Sequence, residues 1–296
     1  MMKSMPLSVM AAEPSQRPDV SSLFTAGRTW IMGVLNATPD SFYPGSRVTD
    51  LDAALRAAER MIQEGADVLD IGGESTRPGA QEVSASVEQD RIIPLITQIR
   101  EKYPQVPLSV DTQKASVARE ALAQGATLIN DISALRADPS MAEVVAEADC
   151  PVVLMHMQGT PQTMQDNPKY ENVVDEVKQF FEKRLAFAAR QRIKEERVIL
   201  DPGIGFGKTL EHNMALLKNL SSLCIFGRPV LVGASRKSFI GRWLGREGLP
   251  LPVEERLEGS IAAALWAVKE GARGLRVHDV GATRRAVSLW EGIGKS

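Results

Sequence analysis

From Thr29 onward the chain alternates short, continuous apolar runs with longer segments in which apolar residues return every three or four positions. The runs are 29–36 (TWIMGVLN), 67–73 (DVLDIGG), 107–112 (PLSVDT), 128–133 (LINDIS), 151–157 (PVVLMHM), 198–203 (VILDPG), 229–235 (PVLVGAS) and 274–280 (GLRVHDV). They are rich in Val, Ile and Leu and do not alternate apolar with polar, which predicts parallel strands covered on both faces. The intervening segments 51–64, 83–102, 115–124, 139–147, 173–192, 210–220, 254–270 and 282–290 predict helices with one apolar face. Strand followed by helix, eight times over, predicts the α/β class and a (β/α)8 barrel. An open doubly wound sheet shares the alternation and differs in strand order, which the pattern leaves open.

Gly65, Gly125 and Gly271 each follow a helical segment and precede Ala, the position of a left-handed stop before the next strand. No linker, charge block or low-complexity run divides residues 29–296, so they are expected to form a single barrel domain. Residues 1–28, rich in Ser, Pro and Met, read as a loose extension; the apolar run 7–12 is too short and interrupted for a secretory leader. No uninterrupted apolar stretch is long enough to cross a bilayer.

With 296 residues and 44% hydrophobic content, the chain can bury a large core. Basic and acidic residues nearly balance, 35 against 37, which argues against nucleic acid or a membrane surface as partner and is compatible with a small anionic ligand. Cys150 and Cys224 sit in apolar surroundings without metal or redox spacing and read as buried free thiols, so the cytoplasm is the default compartment.

Composition does not locate the chemistry, but the strand ends do. Asn36, Asp70, Asp111, Asn130, His156, Asp201, Ser235 and His278 all fall at or just past the C-terminal ends of the apolar runs, the face of a barrel where active sites are built. Taken singly, each is equally well a helix cap or a structural hydrogen bond. Arg276 and His278 alternate within one run and so point the same way. Two such donors suit phosphate oxygens, against the plainer alternative of a surface ion pair with Asp279. GIGFGK (203–208) lacks the spacing of a phosphate-binding P-loop; its glycines read as letting the backbone pass close to a flat ligand. Arg236 and Lys237 put positive charge at a helix start, which is unfavourable without an anion there. His212, at a polar helix start, reads as an ordinary exposed residue.

Eight motifs, in order and one per strand end, resemble the dihydropteroate synthase family: NATPDSF (36–42), GGESTRPGA (72–80), SVDT (109–112), LINDIS (128–133), LMHMQGTP (154–161), LDPGIGFGK (200–208), GASRKSFIG (233–241) and RVHDVG (276–281). The resemblance runs from Trp30 to the last helix. It implies a barrel enzyme, usually dimeric and hence a homodimer here, that joins 6-hydroxymethyl-7,8-dihydropterin diphosphate to p-aminobenzoate. Pyrophosphate and 7,8-dihydropteroate are the products, and sulfonamides mimic the second substrate. By resemblance Asp111, Asn130 and Asp201 hold the pterin, with Lys237 reaching its ring, and Arg276, His278 and Arg77 surround the diphosphate. Thr76, which also borders the diphosphate, joins Pro78, Phe206 and Ser238 around p-aminobenzoate. Asn36 is the family position that contacts Mg2+ on the diphosphate. One neutral oxygen is a weak site, so metal binding should depend on substrate.

The implied chemistry is early cleavage of the carbon–oxygen bond to the diphosphate, with Asp111, Lys237, Arg276 and His278 as the catalytic set and no dedicated base, since an arylamine is neutral. Loops 37–50 and 74–84, rich in Pro and Gly, are expected to close over the pterin and make binding ordered. The first loop, DSFYPGS (40–46), departs from the family's more Gly-rich, Asp-containing form, and residues 1–28 have no part in the pattern. Two other functions stay open. A methyltransferase barrel passing a methyl group from a folate to a corrinoid protein would share the pterin set without the anion sites. A silent pterin-binding paralogue would be expected to lack Lys237, Arg276 or His278.

Overall fold

The structure, a computed structural model, describes residues 18, 20, 24, 27–37, 47–76, 79–246 and 248–294. Strands β1 (Trp30–Asn36), β2 (Val68–Gly72), β3 (Leu108–Asp111), β4 (Leu128–Asp131), β5 (Val152–Met155), β6 (Val198–Asp201), β7 (Leu231–Val232) and β8 (Gly274–Val277) alternate with helices α1 (Arg47–Gln63), α2 (Ala85–Lys102), α3 (Ala115–Ala123), α4 (Met141–Ala148), α5 (Val173–Arg190) and α6 (Leu210–Lys218). Two helices, α7 (Ser238–Leu244) and α8 (Leu257–Lys269), lie between β7 and β8, and α9 (Val280–Ile293) ends the fold. The strands are parallel in the order β6-β5-β4-β3-β2-β1-β8-β7. A parallel bridge between Leu200 and Val230, with Leu200 N–H bonded to Pro229 O at 2.9 Å, closes β6 onto β7. The consecutive order and this closure make it a (β/α)8 barrel and rule out the open doubly wound sheet.

Side-chain parity along each strand divides the molecule into an outer and an inner core. Ile31, Leu69, Ile71, Val110, Leu154, Leu200 and Leu275 point outward into one buried cluster shared with the helices. Trp30, Met32, Val68, Leu128, Val153, Ile199 and Leu231 point inward and form the floor of the barrel. Gly274 is needed there, since a Cβ on it would lie 2.2 Å from the Trp30 ring. Of the N-terminal segment, Val20 is buried and Phe24 meets Trp30 edge-on at 5.7 Å between ring centroids. One or two steps above the floor the inward positions turn polar at Asp70, Ser109, Asp111, Asn130, Asp201 and Arg276, so the strand period of two places these groups in one layer beneath the mouth.

Gly65, Gly125 and Gly271 do end their helices in the left-handed region, with φ of 93°, 101° and 100°. Each following Ala donates its N–H back to a carbonyl of the last helical turn, Ala66 to Met61, Ala126 to Ala121 and Ala272 to Ala267. Helix α7 was not separated in the sequence pattern, because its seven residues are too few to show a period. Cys150 is buried, but Cys224 is exposed, contrary to expectation. It lies in the tight turn Leu220–Phe226, whose buried members are Leu220 and Leu223. No helix among the described residues is long and apolar enough to cross a membrane.

Candidate active site

Within the polar layer inside the mouth, Arg276, Asp70, Asp111 and Asn130 form a connected network. Arg276, from β8, donates Nε to Asp70 Oδ2 at 2.6 Å and Nη2 to Asp111 Oδ2 at 2.7 Å. Asn130 donates Nδ2 to the same Asp70 oxygen at 3.0 Å. Asp201, at the end of β6, accepts the Gly203 N–H on Oδ1 at 2.7 Å. Among the described residues these bonds leave Asp111 Oδ1, Asn130 Oδ1, Asp201 Oδ2 and Arg276 Nη1 unspent.

Burial and charge set opposing demands here. Burial pushes the Asp111 carboxyl up to about 7 against the pull of Arg276, with Asp70 adding to the rise. Burial also raises Asp201, resisted first by Lys237. Lys237 is pushed down to about 7 by burial and held back by Asp201. Burial alone would lower Arg276, and Asp70 and Asp111 more than reverse it. Asp111, taken up above its unfolded value of about 4, binds its proton more tightly in the fold. Its contribution to stability is therefore full below about pH 4 and is lost as pH rises through about 7. The melting-temperature difference between Asp111→Asn and the parent should move in the variant's favour from about pH 5 to about pH 8; a difference that stays flat would show that the carboxyl is not raised.

The remaining expected residues that are described lie at the ends of strands or in the segments that follow them. Asn36 ends β1, and a Cβ on Gly72 would sit 3.8 Å from its Oδ1 and 3.6 Å from Asp111 Cβ, so Asn36 and Asp111 flank one spot. Lys237 caps α7, bonds the Ile204 carbonyl and places Nζ 4.1 Å above the Phe206 ring. Phe206 packs against Ile132, Met155, Met157 and Met164. Ser238 opens α7 and is exposed, Thr76 is partly buried after β2, and His278 is exposed. The His278 ring nitrogen Nδ1 lies 3.0 Å from Ser235 Oγ. Arg77, Pro78 and most of the first loop, Thr38, Pro39 and Asp40 included, lie outside the described residues.

One alternative falls away and three readings change. Asp279 pairs with Arg236, not Arg276, through two bonds of 2.7 and 2.8 Å. Arg236 also bonds the Val253 carbonyl, so its charge at the helix start is met by protein rather than by a ligand. The glycines of 203–208 accommodate protein neighbours: a Cβ on Gly203 would lie 1.9 Å from His156 O, one on Gly207 2.6 Å from Gln158 O and one on Gly205 2.7 Å from Lys237 Cδ. His212 is a cap, exchanging bonds of 3.2 and 3.3 Å with Thr209.

Two members were missed. Asp70 appeared as a strand-end polar group without a role; its inward parity, in register with Ser109 of β3, was the available signal. Lys208 had none, because a lysine in a Gly-rich turn ordinarily faces water.

A profile of pterin binding enzymes matches residues 32–278. The dihydropteroate synthase of Haemophilus influenzae is 49% identical over 261 residues, covering 88% of this chain and 92% of that protein. The solved Xanthomonas albilineans dihydropteroate synthase with 4-aminobenzoic acid superposes with a TM-score of 0.84 at 46% identity, covering 91% of this chain and 94% of that one. The Yersinia pestis dihydropteroate synthase in complex with a sulfonamide drug gives 0.84 at 44% identity, over 91% and 95% of the two chains. Identity of this order along essentially the whole barrel, with the polar layer at its C-terminal mouth, places the chain in the dihydropteroate synthase family of pterin-binding enzymes.

Proposed function

We propose that this protein joins 6-hydroxymethyl-7,8-dihydropterin diphosphate to p-aminobenzoate, releasing pyrophosphate and 7,8-dihydropteroate. The observation that carries the reading is the set of unspent atoms on Asp111, Asn130, Asp201 and Arg276 in one buried layer. A pterin presents amide and guanidine-like edges, donors and acceptors in one plane, and two carboxylates with a carboxamide pair with such edges. Lys237, stacked over the Phe206 ring, supplies a cation beside them. Arg276 Nη1 and His278 take the diphosphate together with Arg77. Thr76, Pro78, Phe206 and Ser238 border p-aminobenzoate, whose carboxylate approaches the start of α7.

In the reaction the arylamine nitrogen bonds to the pterin's methylene carbon, the bond from that carbon to the diphosphate oxygen breaks, and the nitrogen gives up a proton. Arg276 and His278 take up the charge of the leaving diphosphate. Positive charge spreading into the pterin is met by Asp111 and Asp201. Asn36 offers one neutral oxygen for Mg2+, and among the described residues no three or more His, Cys, Asp or Glu side chains form a cage. That donor set suits an ion that arrives on the substrate's phosphates and keeps several waters. When bound, Mg2+ supplies further neutralisation of the diphosphate.

Exposed Trp243, Leu249 and Val253 around α7, and Leu289, Trp290 and Ile293 on α9, support a homodimer, checked by light scattering in solution. The cytoplasm is the compartment proposed. Pyrophosphate release from the two substrates with Mg2+ tests the function; no release, or methylation of a corrinoid from a folate, overturns it. Binding is ordered in this reading, with the pterin diphosphate first. Sulfonamide affinity should therefore rise by about tenfold or more, a coupling of roughly 1.4 kcal/mol, when pyrophosphate and Mg2+ are present. An unchanged dissociation constant in calorimetry removes the ordering.

A further inference from the structure

Lys208 is 2% exposed, one of the largest fully buried side chains in the molecule. Its ammonium donates to Phe206 O at 2.9 Å and His156 O at 3.3 Å and lies 2.9 Å from His156 Nδ1. An ammonium has three N–H groups, and here each has an acceptor. His156 is held neutral, its ring pushed down to about 2 by burial and by Lys208 and Arg136, so Nδ1 serves as that acceptor and Nε2 carries the proton.

Burying an ammonium is costly unless it is paired and hydrogen-bonded, and burial pushes Lys208 down to about 7, with Asp201 holding it back. The ammonium's bonds tie the turn after β6 to the end of β5. The turn needs such a tie: Gly203, Gly205 and Gly207 all have positive φ, 67°, 84° and 61°, and its backbone is pressed onto the carbonyls of His156 and Gln158. Other bolts join it, Asn213 Oδ1 to Gly205 N–H at 2.7 Å and the Tyr170 hydroxyl to Gly207 O at 2.8 Å. Of these bonds, the one from Lys208 reaches Phe206 itself, whose ring lies against Met155 and Met157 and under Lys237.

We propose that Lys208 is a positioning residue for the aminobenzoate half of the reaction: its ammonium clamps the 203–206 backbone to His156, so that the Phe206 ring holds the second substrate's pocket open. Lys208 touches neither substrate. The proposal rests on the reading of Phe206 as a p-aminobenzoate contact.

Lys208→Met keeps the length and apolar stem and deletes the donors. The KM for p-aminobenzoate should rise by about tenfold or more, while the pterin diphosphate dissociation constant stays within about threefold. A purely structural lysine would not split the two ligands. Phe206→Ala, measured alongside, should raise the same KM, and the double variant should add little to either single change, since both act through one ring. If Phe206→Ala leaves that KM unchanged, the reading of Phe206 fails and the clamp with it. If Phe206→Ala raises it and Lys208→Met does not, or if Lys208→Met weakens both ligands equally, the clamp alone is overturned. Should Lys208→Met not fold, His156→Phe keeps a ring and removes one of the three acceptors; a smaller rise with the same split supports the clamp, and an equal loss for both ligands or none overturns it.

Discussion

Arg276→Ala should lower the stability of the free protein by about 3–5 kcal/mol, the cost of breaking a buried ion pair by removing one partner. The guanidinium answers two carboxylates at once, Asp70, which is fully buried, and Asp111 at 8% exposure. Without it Asp70 keeps the Asn130 amide while its other oxygen, Oδ1, already has no partner. Arg276→Lys should recover part of the loss, because an ammonium carries the charge but cannot present a fork to two carboxylates. Binding should fall unequally in the same variants, with pterin diphosphate weakened more than unphosphorylated hydroxymethylpterin, a charged hydrogen bond being worth about 1.5–3 kcal/mol. Urea unfolding at about pH 8, where carboxylates are ionised, reads the first effect and calorimetry the second. An unchanged unfolding midpoint would mean that the two carboxyls do not need the guanidinium, and equal losses for both ligands would place its Nη1 away from the phosphates.

Asp201→Asn should lower kcat/KM for the pterin diphosphate by about a hundredfold or more, two charged hydrogen bonds at roughly 1.5–3 kcal/mol each setting the scale. The amide oxygen can still accept the Gly203 N–H, now met by Asp201 Oδ1, so the turn after β6 keeps its form. What changes is the second atom, which becomes a donor aimed at a ligand edge that also donates. The melting temperature should not fall, because the substitution removes a carboxylate that burial already disfavours. Near-normal turnover would show that the carboxylate merely caps the turn and that the pterin is bound elsewhere.

Much of this site was readable before any fold. Asp111, Asn130 and Asp201 end apolar runs and Arg276 alternates with His278, while their roles came from the family resemblance; the strand period of two makes such positions face inward or outward without regard to the rest of the chain. The barrel followed from the same local source, since a continuous apolar run must be covered on both faces and a helix follows each run. Gly65, Gly125 and Gly271 were read correctly because a left-handed stop depends on one residue's own backbone freedom.

What escaped depends on partners distant in the chain. That Arg276 is bound to Asp70 and Asp111, and Arg236 to Asp279, follows from which strand ends closure brings together, and charge pairs are chosen by distance rather than by sequence spacing. Nothing in the sequence sets Lys208 apart; its burial depends on the turn being folded beneath the end of β5, where His156 supplies acceptors that make burial tolerable. The exposure of Cys224 was decided by the direction of a single tight turn. The sequence by itself determined which residues point into the barrel, because parity and helix period are local properties of the backbone. The tertiary structure alone decided which charges neutralise one another and which atoms are left for a ligand, because those depend on distances that exist only once β6 has closed onto β7.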